Sequence, residues 1–445
     1  MTIWLPRLSQ SEGPLYKQIA DQLQRDVEEG LLLPGSRLPT QRELARRLGI
    51  TVVTVTRAFN EAAERGVVES TVGRGSFVRE RRDEAAVIDL STNVIQGGSP
   101  VMSAALAARI GVAMTMPYGI GPGSERHRAA GASWIARARP DAHPSRVIVT
   151  AGAQQAILIA FAALLEPGEL VLTEEVTYHW MRSAAEMLHA RIEGVAVDRH
   201  GMLPDALAKA ARKRGAKVVY VTPTLQNPTG SVMPEKRRRD LAAIAERHGL
   251  TIIEDDVYGF LAEKAPPALT SFAPGIFVTG LGKSVAPALR VGYLLAPGEL
   301  MPRLESLLNA STLFTSPIVA EIAASAIEDG TAARLAAQRR DAIALRGRVA
   351  RKILGRHAGS SDERSPHLWI PLPQRWTSES FAAAARARGV RVATASQFAM
   401  TKEVPNAIRI SIGAPSSAGE LETALRALDS LREGEEITRA AAAAV

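Results

Sequence analysis

Six apolar runs of strand length punctuate the middle of this 445-residue chain: VIVT (147–150), LVLT (170–173), VVYVT (218–222), TIIE (251–254), IFVT (276–279) and GYLLA (292–296). Helical stretches separate them. Such alternation implies a largely parallel sheet with helices on both faces. Three further segments, HLWIPL, VRVA and IRISI, read as short strands of a smaller lobe, built from about 89–130 and the residues after about 315. In open sheets of this kind, ligands sit beyond the carboxyl ends of the strands. Gly152, Asn227, Asp255 and Lys283 all follow apolar runs closely, so a site is expected there.

Composition bounds the rest. A chain of this length holds two or three domains with large cores. It has no cysteine, which excludes disulfides, cysteine-ligated zinc and thiol catalysis and suits a reducing, cytoplasmic setting. The opening MTIWLPRLSQ has no long apolar region, so no signal peptide is expected. The longest apolar run, AILIAFAALL at 156–165, is too short for a bilayer and reads as a buried core helix; no membrane is expected as a partner. A formal net charge of +8 favours polyanions without naming one. Locally, Arg37, Arg42, Arg46, Arg47 and Arg57 face Glu43 alone. A second basic run, KRRR at 236–239, reads as a solvated helix face.

The arginine cluster lies in a patterned region. Leu15, Ile19, Leu23 and Val27 recur every four residues, the stripe of an amphipathic helix that Gly30 stops. Thr40 and Glu43 form a T-x-x-E capping box at the start of a second helix, which Gly49 ends. Thr51 caps a third helix through TVVTVTRAFNEAAERG. Two short helices around a tight glycine-containing turn describe a helix-turn-helix. Beyond Gly66, VVES and GSFV pair as a hairpin with Arg74 at its tip, which makes a wing. The segments PLYKQIADQL, GSRLPTQRELARRLGI, TVTRAF and GRGSFV, in this order, closely resemble the winged helix-turn-helix of the GntR family of bacterial regulators over residues 12–79. The resemblance implies double-stranded operator DNA as a partner, with the third helix in the major groove. Base edges would be met by Thr51, Val53 and Thr54, and phosphates or bases by Arg42, Arg46, Arg57 and Arg74. Many family members carry Arg where this chain has Val52, so readout is expected to be weaker or to lean more on Arg42 and Arg74. The alternative is a helix-turn-helix used only for protein contacts.

Residues 80–88 read as a short charged linker, roughly 30 Å at full extension, and 89–435 as one large body. Its motifs TPTLQNPTG, IIEDDVYG and GLGKSVAPALRVGY order Asn, Asp, Tyr, Lys and Arg. These residue types suit pyridoxal 5'-phosphate, which needs a lysine amine, a carboxylate facing the pyridine nitrogen and a grip on the phosphate. The body resembles the class I/II aminotransferases, PLP-dependent transferases of fold type I, an α/β architecture with a largely parallel major domain and a smaller α+β lobe. The resemblance implies Lys283 as the catalytic Schiff-base lysine, Asp255 on the pyridine nitrogen, and Tyr258 and Asn227 on the phenolic oxygen. Ala153 and Gln154 of GAQQA would offer N–H groups to the phosphate at a helix start, and Arg290 would add positive charge there. Tyr178 would stack on the ring. Tyr118 of YGIGPG would reach the phosphate of a neighbouring subunit, which implies a homodimer. Arg409 of IRISI would clamp a ligand carboxylate. No metal is expected. Each assignment has a plainer reading: Asp255 as a helix cap, Asn227 as a turn, Tyr178 as core, Arg409 as a structural ion pair.

Family members usually carry Ser three residues before the lysine, where this chain has Gly280, and Gly282 directly precedes Lys283. Weaker phosphate affinity is expected unless Ser284 and Thr279 compensate. A GntR-type reader fused to an aminotransferase-like body is the arrangement of the MocR subfamily, which this chain resembles end to end. That resemblance implies a PLP-dependent regulator sensing an amino acid, an amine or a vitamer. Two alternatives stand beside it: a working aminotransferase with an accessory DNA-binding domain, and a scaffold that has lost its cofactor.

Overall fold

The amino-terminal stripe forms α1 (Leu15–Glu28), with Ile19 and Leu23 fully buried. Helix α2 (Gln41–Leu48) begins where the Thr40 hydroxyl accepts the Glu43 N–H at 3.2 Å. Only this half of the capping box is seen, because the Glu43 carboxylate turns to Arg47, 3.2 Å away on the next turn. Gly49 ends α2 at φ 66°, a conformation glycine adopts without strain. Thr51 accepts the Thr54 N–H to start α3 (Val52–Glu64). Val55, Phe59 and Ala62 of α3 pack with Leu23 and Leu44 into a core of this unit's own. Strands β1 (Val68–Thr71) and β2 (Gly75–Val78) pair antiparallel as the expected hairpin.

The structure, a computed structural model, describes all residues except 1–3, 7, 9–12, 29–31, 33–35, 37, 66, 72–74, 79–86, 98–103, 117–120, 214, 263, 360 and 435–445. The chain divides into two compact units, 1–86 and 87–445. Arg74, Tyr118 and most of the segment read as a linker fall outside the described residues.

The second unit opens with β3 (Ile88–Asp89), α4 (Ala104–Ala113) and α5 (Glu125–Ile135). Its main sheet is assembled from β4 (Val147–Thr150), β5 (Leu170–Glu174) and β6 (Arg191–Val195) and, after a small hairpin of β7 (Val197–Asp198) and β8 (Gly201–Met202), from β9 (Ala216–Val221), β10 (Thr251–Asp255), β11 (Gly275–Gly280) and β12 (Gly292–Leu295). The order across it is β4-β12-β11-β10-β9-β5-β6. Strand β12 runs against both neighbours and the other pairs are parallel.

Helices α6 (Ala153–Leu164), α7 (Trp180–Met187), α8 (Pro204–Ala210), α9 (Glu235–His248) and α10 (Met301–Thr312) cover the sheet. Val218, Tyr220 and Ile253 pack with α6, α7 and α10, while their neighbours Val219, Val221 and Ile252 pack with α8 and α9. Strands covered on both faces must be apolar at every position, which is why they read as unbroken runs. The same alternation separates Asp255 from Glu254: the first faces the side of α6, the second pairs with Arg238 of α9. This revises the reading of KRRR. Lys236 and Arg239 are exposed, but Arg237 holds Asp198 at 3.0 Å and Arg238 is buried, donating to the carbonyls of Met233, Pro223 and Pro267.

Helices α11 (Pro317–Glu328) and α12 (Thr331–Leu354) lead to the smaller lobe. It contains β13 (His367–Pro371), α13 (Ser378–Ala387), β14 (Val390–Arg391), β15 (Ala393–Thr394), β16 (Ala407–Ser411) and α14 (Ala418–Glu433). Strand β16 lies between β13 and β15, and β3 pairs with β14. The lobe takes less of the early chain than expected. Helix α5 packs on β4 and β12 of the main sheet, because Gly131 admits the Tyr293 ring where a Cβ would lie 2.5 Å from it. Among the described residues no helix is long and apolar enough to cross a membrane.

Candidate cofactor site and DNA-reading helix

At the carboxyl ends of the central strands lies a cavity of about 390 Å³. Lys283, Asp255, Tyr258, Asn227, Tyr178, Ala153, Gln154, Arg290 and Arg409 all line it. Six structural features bring them together: the segments that follow β5 and β9, the end of β10 with the turn after it, the loop after β11, the start of α6, and β16 reaching over from the smaller lobe.

Asp255 is fully buried in the sheet. Its carboxylate accepts the Tyr220 hydroxyl at 2.7 Å and the Val257 N–H at 3.2 Å. Burial pushes it above the usual carboxylate range. No cation lies within ion-pair distance of it among the described residues, so the cavity offers a carboxylate ready for a cationic ring nitrogen. Lys283 donates its Nζ to the Asn93 carbonyl and sits 5.8 Å from the centre of the Tyr258 ring. Burial, with help from the Arg409 charge, lowers its ammonium to about 8. Near neutrality a useful share of it is therefore the nucleophilic amine.

The start of α6 makes an anion cradle. Gly152 caps it at φ 91° without a side-chain hydrogen bond, which leaves the N–H groups of Ala153 and Gln154 to face the cavity. Arg290 is the guanidinium at this end. A Cβ on Gly152 would lie 3.0 Å from its Nη2, and the φ of 91° is itself one that favours glycine. Arg290 itself is held at φ 46°, a conformation unusual for arginine and of a kind that collects at functional sites. Thr279 and Ser284 do not replace the missing family serine. Thr279 Oγ1 donates to the Asp256 carbonyl and lines a different cavity, and Ser284 Oγ turns back to Gly280 O at 3.5 Å.

Two residues not singled out from sequence organise the other wall. Asn93 Nδ2 donates to the Tyr258 hydroxyl at 2.7 Å and lies 2.9 Å from His367 Nδ1. The His367 Nε2–H donates to the Gln226 carbonyl at 2.8 Å, so Nδ1 is the acceptor. Burial, then the Arg409 charge, holds His367 down to about 3, so it stays neutral. With Asn93 donating to its oxygen, Tyr258 keeps its own proton for the cavity. Arg409 is buried, donates to Asn227 Oδ1 at 3.3 Å and to the Ser91 carbonyl, and stacks 5.0 Å from the Phe398 ring. Its Nε is buried without a partner. It pairs with no carboxylate among the described residues, which leaves its charge for a ligand. Asn227, with Oδ1 engaged, has its amide hydrogens to give. Tyr178 is half-buried, edge-on to His179 with ring centres 4.9 Å apart.

In the first unit, Arg42, Arg46, Thr51 and Val53 are exposed at and before the start of α3, and Thr54 is half-buried with its hydroxyl 2.9 Å from that of Thr51. Arg42 and Arg46 make no ion pair among the described residues. Arg57 is less free, for its guanidinium lies 3.9 Å from the centre of the Tyr16 ring and donates to the Tyr16 hydroxyl. Val53, at 77 % exposure, is the most exposed large apolar residue described.

The chain thus joins a helix-turn-helix module to an aminotransferase-like body with a lysine in its cavity. The family model for aminotransferase class I and II matches residues 85–428, and the one for bacterial regulatory proteins of the gntR family matches residues 15–78. The chain belongs to the class I and II aminotransferase family and carries a gntR-type module ahead of that domain, the MocR arrangement. It is 29 % identical to the uncharacterized HTH-type transcriptional regulator YdeF of Bacillus subtilis over 442 residues, covering 96 % of each chain. With the uncharacterized HTH-type transcriptional regulator YjiR of Escherichia coli it shares 24 %, over 96 % of this chain and 99 % of that one. Among solved structures, an archaeal alanine:glyoxylate aminotransferase superposes with a TM-score of 0.70 at 25 % identity, over 79 % of this chain and 91 % of the other. LysN, the alpha-aminoadipate aminotransferase from Thermus thermophilus, shares the fold with a TM-score of 0.69 at 21 % identity, over 84 % of this chain and 97 % of its own.

Proposed function

We propose that this protein is a DNA-binding transcriptional regulator that holds pyridoxal 5'-phosphate in the Lys283 cavity and senses an amine or amino acid there. The observation that carries the reading is the convergence of an amine, a buried carboxylate and an anion cradle in one cavity, on a chain whose first unit presents free arginines beside an exposed helix start. When bound, the cofactor supplies an aldehyde that captures amines. The chain's own residues do the rest. Lys283 anchors it, and Asp255 keeps its ring nitrogen protonated. Tyr258 and Asn227 donate to its phenolic oxygen, and Tyr178 covers its face. Ala153, Gln154 and Arg290 hold the phosphate, while Arg409 receives a ligand carboxylate. A homodimer belongs to this reading, with the partner subunit's Tyr118 completing the phosphate end. Thr51, Val53 and Thr54 read bases, and Arg42, Arg46, Arg57 and Arg74 bind backbone or bases.

A second reading, a working aminotransferase with an accessory DNA module, draws support from the lowered Lys283 ammonium and from Arg409, whose Nε is buried without a partner. One experiment addresses both. DNA from the intergenic region beside the gene is titrated by fluorescence anisotropy with cofactor-loaded protein, with and without amines and amino acids, in wild type and Lys283→Ala. The regulator reading expects saturable binding whose affinity responds to an amine in wild type only. An equal response in both removes Lys283 from sensing. Absence of DNA binding together with steady keto-acid production from amino donors replaces the first reading by the second.

A further inference from the structure

At the mouth of the Lys283 cavity stands a residue that none of the roles above uses. His179 is exposed, lines the cavity and directly precedes α7. Its ring is edge-on to Tyr178, with centres 4.9 Å apart, and edge-on to Phe398, at 6.2 Å. The Arg409 guanidinium lies 5.0 Å from the centre of that Phe398 ring. The imidazole is thereby held between the tyrosine proposed to cover the cofactor and the arginine proposed to receive a carboxylate. It makes no hydrogen bond among the described residues, so both ring nitrogens are free for a ligand.

The charges around it are already committed. Lys283, Arg290, Arg409 and Asp255 are the charged side chains that line the cavity among the described residues. A cofactor held as proposed takes Lys283, Arg290 and Asp255. A ligand then commits its amine to the cofactor and its carboxylate to Arg409, and no charged group remains for its side chain. A cationic end would find no carboxylate. An anionic end would find no second cation: Arg182, one turn further along α7, donates to the Ala399 carbonyl and does not line the cavity. The hydroxyls beside Arg409 are taken as well, for Ser91 and Thr92 both donate to Asp89, at 2.6 and 2.9 Å. Burial, then the Arg409 charge, lowers the His179 imidazolium below its ordinary range, so the ring is neutral near pH 7. A neutral imidazole offers one N–H and one lone pair. Its complement is an uncharged group that both donates and accepts.

We propose that His179 selects the ligand's side chain, and that the site takes amino acids whose side chain ends in an uncharged hydrogen-bonding group, a carboxamide or a hydroxyl, in preference to acidic, basic or apolar ones. This rests on the cofactor reading above and adds to it the class of ligand.

The test is an absorbance titration of full-length, cofactor-loaded protein with amino acids of similar length, each in both enantiomers: asparagine, glutamine and homoserine, the apolar norvaline, the acidic aspartate and glutamate, and the basic 2,4-diaminobutanoate and ornithine. At least one carboxamide or hydroxyl compound is expected to bind roughly threefold to tenfold more tightly than norvaline, the value of one neutral hydrogen bond, and the charged compounds no better than norvaline. His179→Phe keeps a ring between Tyr178 and Phe398 and should bring the preferred compound down to the norvaline affinity while leaving norvaline itself unchanged. His179→Gln should restore part of the preference, and Arg409→Ala should weaken all the compounds alike. His179 is exposed, so its variants should fold, which circular dichroism checks. If no amino acid alters the spectrum of the wild type, the cofactor reading fails and this inference with it. If amino acids alter it but a charged one binds as tightly as the best uncharged one, or the preference survives in His179→Phe, the cofactor reading stands and the role given to His179 is overturned.

Discussion

Glycine stands at two positions beside the proposed phosphate end, and the space around them differs. A Cβ added at Gly282 meets no atom within 4 Å, and Gly282 lines the cavity. A Cβ added at Gly280 lies 3.0 Å from the Val291 carbonyl oxygen and 3.4 Å from Gly292 Cα, both rigid backbone. Gly280 faces Gly292 across the β11–β12 pair, and a Cβ on Gly292 would in turn lie 2.5 Å from the Gly152 carbonyl carbon. Three backbone segments are layered there at a distance only glycine permits. Gly282→Ser therefore adds a hydroxyl without displacing anything. A hydrogen bond to a charged group is worth about 1.5–3 kcal/mol, so the cofactor should bind roughly 10–150 times more tightly. Gly280→Ser must instead push the β11–β12 backbone apart, and overpacking of this kind costs about 1–3 kcal/mol of stability. Its cofactor affinity should not improve. The assay is equilibrium dialysis against pyridoxal phosphate, read by absorbance, alongside urea unfolding of the apo protein. Tighter binding by Gly280→Ser, or none by Gly282→Ser, would refute the argument from space.

Four further outcomes are expected. The Lys283 ammonium, held down to about 8 by burial and Arg409, loses its proton as pH rises, so capture of pyridoxal phosphate by apo protein should accelerate up to about pH 8 and level off above it. A stopped-flow profile centred instead near the unperturbed 10.5 would contradict the burial of this amine. Asn93→Ala strips a buried donor from both Tyr258 and His367 and should lower unfolding free energy by about 2 kcal/mol in urea titrations; a change under about 0.5 kcal/mol would mean that the two acceptors find other partners. Val53 should read a thymine methyl, so uracil at one operator position should weaken binding about fourfold, the value of one buried methyl group, and Val53→Ala should erase that difference. Arg46→Ala should lower the salt slope of DNA binding by about one phosphate equivalent, and an unchanged slope would place Arg46 off the backbone.

The strands, the helix starts and the principal cavity residues were legible in the sequence for local reasons. A strand buried on both faces is apolar throughout, so β4, β5 and β9 to β12 announced themselves as runs. Thr40 and Thr51 cap helices through N–H groups three residues away, within reach of any sequence window. Lys283, Asp255 and Asn227 sit just after strands, where a parallel sheet opens to ligand. Other features were decided only by the tertiary structure. Asn93 and His367 are 274 residues apart, and no periodicity marks either; they meet because the smaller lobe lays β13 beside the end of the main sheet. Within KRRR, helical rotation against the sheet buries Arg238 and leaves Lys236 in water. Thr279 was a candidate for the cofactor cavity, but strand alternation aims it at the other one. Backbone hydrogen bonding and side-chain periodicity are short-ranged, so the sequence by itself determines which elements form and where their polar ends lie. Which of two adjacent polar side chains enters a cavity depends on register and on the surface packed against it, and those are set by contacts hundreds of residues apart.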